Sequence, residues 1–373
     1  MKIIITGGGT GGHINPALAI ADRLRRAYPQ AEMLYVGSVG GMEEKLVARA
    51  GIPFRSVRIM GFDRNLKSIG YNLRALRAFF VSKKQTRKIF DEFPPDLVIG
   101  TGGYVSYPVL HLAARRGAYT VLHESNAYPG LVSKLLAPKV DLLLGAVPVI
   151  GERLKIKGRF AVTGNPVREA FLCLDRRQAR KELHIPDSAF LTVSSGGSLG
   201  AAAVNEAVAA LFGAETGDPG RYHVHAVGKN RGDFDALLKK SGAVIDGERL
   251  QVKDFIHNMP QLFAAADLII SRSGAMSLAE IQCAGRASIL IPSPHVTENH
   301  QYYNARILSD RGAAYLLEEK DLTGEKLIEV ANELASDGER RRSMERKAAE
   351  MAVFDAPDRI LSEIRRLMKT EKK

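Results

Sequence analysis

One arrangement occurs twice in this chain and limits its fold more than any other feature: a short apolar strand, a glycine-rich loop, then a helix. It appears at Ile3–Thr6, Gly7–Gly12 and Pro16–Leu24, and again about 190 positions later at Phe190–Ser195, Gly196–Gly200 and Ala201–Leu211. A strand that feeds a helix is followed by a crossover, and crossovers build parallel sheets. Further apolar runs at Met33–Gly37, Asp96–Gly100, Tyr119–His123, Val140–Leu144, Tyr222–Val227, Leu268–Ser271 and Ser288–Ile291 alternate with helical stretches. That alternation predicts βαβ units in an α/β fold. The long period marks a duplicated architecture, not a solenoid. At 373 residues there is room for two domains of ~100–200 residues each. The rhythm breaks at Gly164-Asn-Pro-Val-Arg168, so the expected division is 1–164, 165–345 and a charged helical tail over 346–373.

Gly7, Gly9 and Gly12 spell a G-x-G-x-x-G pattern. Glycines ahead of a helix N-terminus let the backbone approach a phosphate, and the helix dipole favours the anion. A dinucleotide site also needs an acidic side chain at the end of the second strand to hold the ribose. That strand ends Val36-Gly37-Ser38, which argues against a nicotinamide cofactor. No Gly-Lys-Ser/Thr occurs, so a Walker phosphate loop is excluded. His13 follows the loop, just ahead of Asn15, a candidate N-cap, and Pro16, a residue favoured at the first helical position. The positive helix end disfavours imidazolium, so His13 is expected to stay neutral and able to accept a proton. Its plain alternative is to pack or cap the turn.

The second loop, Ser195–Ala201, sets Ser198 where a hydroxyl can reach a phosphate, or where it serves only a tight turn. In Ser271–Glu280, Glu280 either accepts two hydrogen bonds from a ribose diol or completes a capping box with Ser277. Pro292–Gln301 is a polar loop after a buried strand, where α/β proteins bind ligands, and it offers Glu298, His300 and Gln301. Its plain alternative is an exposed loop capped by Thr297. Arg168 can bridge two phosphate oxygens or lie solvated in the linker. Metal is poorly supported: Asp233-Phe-Asp235 falls in a polar helical stretch, and no metal-binding H-x-H or HExxH pattern is expected.

Composition narrows the partners. Lys and Arg number 53 against 41 Asp and Glu, a formal net charge of +12, which suits phosphorylated ligands, anionic lipid or nucleic acid. No nucleic-acid-binding motif is present, so nucleic acid is the weakest of the three. The stretch Lys67–Lys84 places Ile69, Leu73, Leu76 and Phe80 at helical spacing among Lys67, Arg74, Arg77, Lys83 and Lys84. Such a helix either lies on an anionic membrane surface or turns its apolar stripe to the core. Two separated cysteines, Cys173 and Cys283, suit a reducing cytoplasm. Met1–Gly7 meets glycine too soon for a signal-peptide core, and the longest apolar run, Leu142–Ile150, is too short to span a bilayer. A cytoplasmic location is expected.

Seven motifs follow one another along nearly the whole chain: Gly7–His13 (GGGTGGH), Gly100–Ser106 (GTGGYVS), His123–Asn126 (HESN), Gly164–Arg168 (GNPVR), Gly196–Ala201 (GGSLGA), Arg272–Glu280 (RSGAMSLAE) and His300–Ala305 (HQYYNA). In this order they resemble the family of peptidoglycan N-acetylglucosaminyltransferases. The resemblance implies two Rossmann-like, doubly wound domains of GT-B type facing a central cleft, with the C-terminal helix returning to the first. It implies inverting, metal-independent transfer of N-acetylglucosamine from UDP-GlcNAc to the C4 hydroxyl of the muramoyl sugar of lipid I, giving lipid II, with no cofactor. Donor contacts implied in the second half are Arg168, Ser198, Ile256, Ala275, Met276, Ser277, Leu278, Ala279, Glu280 and Gln301. From the first half, Thr10, Gly11, Gly12 and Asn126 face the sugar and acceptor, and His13 is the favoured general base. The location implied is the cytoplasmic face of the membrane. Two positions depart from the pattern, both on the acceptor side: Ser125 stands where the family often has Gln, and Tyr107 where Gly is common.

Overall fold

The computed structural model describes residues 1–61, 69–173, 175–197, 199–229 and 231–369. They form two compact units, one from Met1–Val167 with Asp355–Lys373, the other from Arg168–Phe354. The first contains strands β1 (Lys2–Thr6), β2 (Glu32–Ser38), β3 (Phe54–Val57), β4 (Leu97–Gly100), β5 (Tyr119–Glu124), β6 (Leu142–Gly145) and β7 (Arg159–Val162). They pair in parallel in the order β3-β2-β1-β4-β5-β6-β7. The second contains β8 (Phe190–Ser195), β9 (Arg221–Ala226), β10 (Leu250–Lys253), β11 (Leu268–Ser271), β12 (Ala287–Leu290) and β13 (Tyr315–Leu316), also parallel, in the order β10-β9-β8-β11-β12-β13.

Both faces of each sheet are covered by helices, which is why the strands read as continuous apolar runs without alternation. In the first unit Ile4, Val36, Val98, Leu122 and Leu143 pack on one face. Ile3, Ile5, Leu97, Ile99 and Val121 pack on the other, together with Ile360, Leu361 and Ile364 of the last helix, Ala356–Met368. Arg23–Asp358 and Arg159–Glu363, each at 2.6 Å, flank that helix. The preceding helix, Gly338–Glu350, belongs to the second unit.

The helix after the first loop begins earlier than its cap signals suggest. It runs Gly11–Ala27, with Thr10 as an extended N-cap residue, and neither Asn15 nor Pro16 marks its start. The amides of His13 and Ile14 reach the Thr10 carbonyl at 3.0 and 3.1 Å, and the intervening glycines do not obstruct that turn. Pro16 therefore sits inside the helix, where it has no N–H to give to the Gly12 carbonyl.

In each sheet the strand order reverses direction at the first strand, between β1 and β4 and between β8 and β11. The loops leaving the carboxyl ends of those neighbouring strands splay apart there, and doubly wound proteins place their ligands at that point. Both glycine loops, the Gly100–Gly103 segment and the Arg272–Gly274 turn emerge at these positions.

Candidate active site

In the first unit, His13 lies in the first turn of its helix, and its Nδ1 is 3.0 Å from the Thr101 carbonyl oxygen. Thr101 Oγ1 donates back to the His13 carbonyl at 2.7 Å. A neutral imidazole that donates from Nδ1 carries its lone pair on Nε2, the arrangement a general base needs. The close approach depends on glycine. Gly102 has φ +108°, and a Cβ there would meet His13 Nδ1; a Cβ at Gly103, φ +77°, would run into the Gly8 carbonyl oxygen.

Beneath this loop is a carboxylate that sequence reasoning missed. Glu43, fully buried on the helix Met42–Arg49, accepts from Ser38 N at 2.8 Å, from Ser38 Oγ, and from Gly9 N at 3.4 Å. The acidic residue absent from the end of β2 thus arrives five positions later, and it faces inward. Tyr35 Oη donates to the Gly7 carbonyl at 2.7 Å, and burial, helped by Glu43, pushes this phenol well above its ordinary range.

Asn126 is presented by a loop closed around Glu124. That buried carboxylate accepts from Asn126 N (2.9 Å), Asn126 Nδ2 (3.1 Å), Gly130 N (3.2 Å) and Ser133 Oγ (2.5 Å). Its signal in the sequence is an acid ending an otherwise apolar strand, just ahead of a ligand-side loop. Of the two departures, Ser125 is buried, with Oγ 3.4 Å from His123 Nδ1 and its carbonyl accepting from Asn165 Nδ2. Tyr107 stacks on His111 and leans on Phe79, so it braces the long helix Ile69–Glu92.

In the second unit, Arg168 Nη2 stands 3.8 Å from Glu280 Oε1, and its guanidinium lies over the Phe171 ring. Burial pushes the Glu280 carboxyl up to about 7 against the opposing pull of Arg168. The capping-box alternative fails: the helix Ala275–Ala284 starts after Gly274, so Ser277 and Glu280 both lie inside it. Ala275, Met276, Leu278 and Ala279 are buried and Ser277 half-buried, so this helix offers a ligand its N-terminal backbone more than its side chains. Gln301 Oε1 accepts from Ser293 N at 2.9 Å, and Asn304 Nδ2 donates to the Ser273 carbonyl at 3.2 Å, tying the 292–301 loop to the turn after β11. Glu298 and Asn299 adopt left-handed backbone (φ 57° and 49°) and His300 opens the next helix; no Thr297 cap forms. Ile256 is buried just after β10. Ser198 lies outside the described residues. Thr10, Gly11, Gly12, His13 and Asn126 thus belong to the first unit, and the other described candidates to the second.

The helix Ile69–Glu92 settles the question of its stripe. Ile69, Leu73, Leu76 and Phe80 are 74%, 67%, 43% and 60% exposed, while Ala75, Ser82, Thr86, Ile89 and Phe90 face inward. A groove along it is lined by Leu73, Arg74, Leu76, Arg77, Phe80, Val81 and Lys84. Burial, reinforced by Lys83, Lys139 and Arg115, holds His111 below its ordinary value, a mark of positive field on this side. Among the described residues no helix is long and apolar enough to cross a membrane, and no three His, Cys, Asp or Glu gather as a metal site.

Residues 3–144 match the glycosyltransferase family 28 N-terminal domain, and residues 191–360 match its C-terminal domain. A protein of Acetivibrio thermocellus, named UDP-N-acetylglucosamine–N-acetylmuramyl-(pentapeptide) pyrophosphoryl-undecaprenol N-acetylglucosamine transferase, is 39% identical over 371 residues, 100% of this chain and 99% of its own. A protein of the same name from Desulforudis audaxviator is 40% identical, covering 98% of each. The crystal structure of Acinetobacter baumannii MurG superposes with a TM-score of 0.75 at 26% identity, over 98% of this chain and 99% of that one.

Proposed function

The chain belongs to the MurG family of N-acetylglucosaminyltransferases, within glycosyltransferase family 28, and from that premise we infer that it carries N-acetylglucosamine from UDP-GlcNAc to lipid I. It is a glycosyltransferase of the two-domain GT-B fold, and its product is lipid II. The reaction is a single in-line displacement. The C4 hydroxyl oxygen of the muramoyl sugar forms the new bond to the anomeric carbon, the bond to the diphosphate oxygen breaks, and the configuration inverts. The hydroxyl proton passes to His13 Nε2, and UDP leaves with the bonding electron pair.

The observation that carries this reading is the His13–Thr101 pairing, which directs Nε2 as acceptor beside a glycine loop at the switch point of the sheet. On the donor side, the N-terminus of the helix Ala275–Ala284 and Arg168 offset the growing charge on the diphosphate without a metal. Glu280 takes the ribose hydroxyls, Ile256 borders the base, and Ser198 and Gln301 complete the donor contacts. Thr10, Gly11, Gly12 and Asn126 face the sugar and the acceptor. The exposed apolar stripe of Ile69–Glu92, with Arg74, Arg77, Lys83 and Lys84, rests on anionic lipid at the cytoplasmic face, where lipid I is held.

Product analysis with UDP-GlcNAc and a lipid I analogue tests the assignment, with other UDP-sugars as controls. The expected product is the β-linked disaccharide from UDP-GlcNAc. Equal turnover of another UDP-sugar, or transfer only to a different lipid acceptor, overturns it.

A further inference from the structure

Beneath the second glycine loop lies a chain of polar groups that the proposed reaction does not use. His223 and His225, two apart on β9 and therefore on one face, form an H-x-H pair, which corrects the expectation that the chain has no such pattern. Each approaches Ser194 Oγ of β8, His223 through Nε2 at 2.6 Å and His225 through Nδ1 at 2.7 Å. The other nitrogens face the helix Ala202–Glu215: His223 Nδ1 is 2.7 Å from Glu215 Oε2, and His225 Nε2 is 3.2 Å from Asn205 Oδ1. Asn205 Nδ2 donates to the Val227 carbonyl at 3.1 Å. All five side chains are buried.

Their donors and acceptors can be ordered in only one direction. The Val227 carbonyl accepts, so Asn205 turns its amide nitrogen there and its oxygen to His225, whose Nε2 must carry a proton. A neutral His225 then accepts at Nδ1, so the Ser194 hydroxyl donates to it and accepts in turn from a protonated His223 Nε2. This leaves His223 Nδ1 and Glu215 Oε2, 2.7 Å apart, both acceptors unless one further proton lies between them. Burial keeps His225 neutral by pushing it down to about 3. Phe212 stacks on His223 at 4.4 Å and Phe234 lies tilted against His225 at 4.9 Å, while Leu250 and Val252 of β10 occupy the register positions beside the two histidines. Among the described residues no other charged side chain is hydrogen-bonded or ion-paired to Glu215 or His223.

The far end of the chain meets the donor loop. The Val227–Gly228 turn is in backbone contact with Gly200, so close that a Cβ at Gly200 would run into the Val227 carbonyl oxygen. The same turn is tied to the end of β10 by Val227 N to Lys253 O and Gly228 N to Asp254 O. We propose that Glu215, His223, Ser194, His225 and Asn205 form a one-way hydrogen-bond chain that keeps one proton between Glu215 and His223 and positions the donor-side glycine loop through the Val227 carbonyl. The positioning part rests on the reading that this loop takes the diphosphate of UDP-GlcNAc.

Histidine NMR on the full chain tests the proton, with signals assigned through a His223→Gln variant. His225 is expected as the neutral Nε2–H tautomer and His223 as Nε2–H with a shared proton at Nδ1. An Nδ1–H tautomer at His225 overturns the proposal, whatever sugar the chain transfers. Variants at Glu215 test the coupling. Glu215→Gln can donate an amide proton to a neutral His223, so its Kd for UDP and its KM for UDP-GlcNAc should stay within about twofold of wild type. Glu215→Leu leaves a buried acceptor unmet and should weaken both by about three- to tenfold with acceptor KM unchanged. Equal damage in the two variants, or a loss of thermal stability in Glu215→Leu with UDP affinity intact, overturns positioning. Wild-type chain that fails to bind UDP overturns the donor reading and the positioning clause with it, and leaves the tautomer result to decide the proton.

Discussion

At the first glycine loop the protein supplies its own anion: the Glu43 carboxylate takes the Gly9 and Ser38 donors from below, and Thr101 holds His13 from the side. At the second loop the Gly197 amide is met by a hydroxyl, Ser195 Oγ at 3.0 Å, and elsewhere in the same unit Arg168 and Glu280 face each other at 3.8 Å. One strand–loop–helix pattern therefore yields two different chemistries. A loop whose amides already face a carboxylate is poorly suited to a diphosphate and well suited to presenting a neutral base. A loop without that carboxylate, beside a helix N-terminus, is suited to a leaving anion.

Exchanging roles between the halves should break this contrast most sharply at the reacting atoms. General-base assistance is typically worth ~10²–10⁴ in rate. His13→Ala should lower kcat by about that factor with little change in donor KM, whereas Arg168→Ala should act mainly through donor KM. Steady-state kinetics with a soluble acceptor separates the two, and wild-type turnover in His13→Ala removes His13 from the role.

The next effect is on stability and concerns the buried anion. Glu43→Ala empties a fully buried position and strips the acceptor from the half-buried Ser38 and the exposed Gly9 amide; a donor left unmet costs roughly 1–3 kcal/mol where it is buried and less where water reaches it. A loss on the order of 3 kcal/mol is expected by denaturant titration, with Glu43→Gln intermediate. Ser195→Ala, the matching change at the second loop, removes one partly exposed contact and should cost under about 1 kcal/mol. Equal losses would mean that the loops are built alike after all.

The contrast also marks how far the sequence could be read. The strands were legible because both faces of each sheet are covered, and seven ordered motifs carried the family. Glu43 was not legible because a carboxylate on the next helix looks solvent-facing until that helix is docked. The Glu215–His223 pair was hidden for the same reason, since its members meet only when a helix lies across β9. The start of the first helix was misread because Asn15 and Pro16 carry strong local preferences, while the His13 and Ile14 amides reaching the Thr10 carbonyl leave no such mark. Periodicity found the stripe of Ile69–Glu92 but could not say which way it faces.

Glu280 gives a smaller, pH-dependent effect confined to the second unit. Burial raises its carboxyl from 4.5 to about 7. Between those values the folded chain holds a proton that the unfolded chain has released, so stability falls as pH rises through the window and levels off above about 7. Glu280→Gln should flatten that slope, a difference on the order of 1–3 kcal/mol in melts compared at pH 5 and pH 8. The ribose reading adds a second sign. An ionised carboxylate accepts two hydroxyl donors, so wild-type donor KM should rise as pH falls below about 7, and the Gln variant should bind more weakly with no such dependence. A wild-type donor KM that is flat across this range separates Glu280 from the ribose.

The smallest change per residue is expected at the surface of the first unit. Each Lys or Arg near an anionic bilayer contributes about 1 kcal/mol, and the apolar stripe adds area-dependent insertion. Replacing Arg74, Arg77, Lys83 and Lys84 one at a time by Gln should weaken binding to vesicles containing anionic lipid by about fivefold per step, more at low salt than at high salt. Turnover of a soluble acceptor should not change, because Arg74, Arg77 and Lys84 are exposed, Lys83 is half-buried over the Phe79 ring, and the proposed chemistry is at His13. Leu73→Ser and Phe80→Ser supply the complementary arm. They should weaken binding to neutral and anionic vesicles alike, since Leu73 and Phe80 are exposed and contribute through area, not charge. If vesicle binding survives both series, the excess charge serves another partner; if the soluble reaction fails with it, the face belongs to the catalytic half of the comparison.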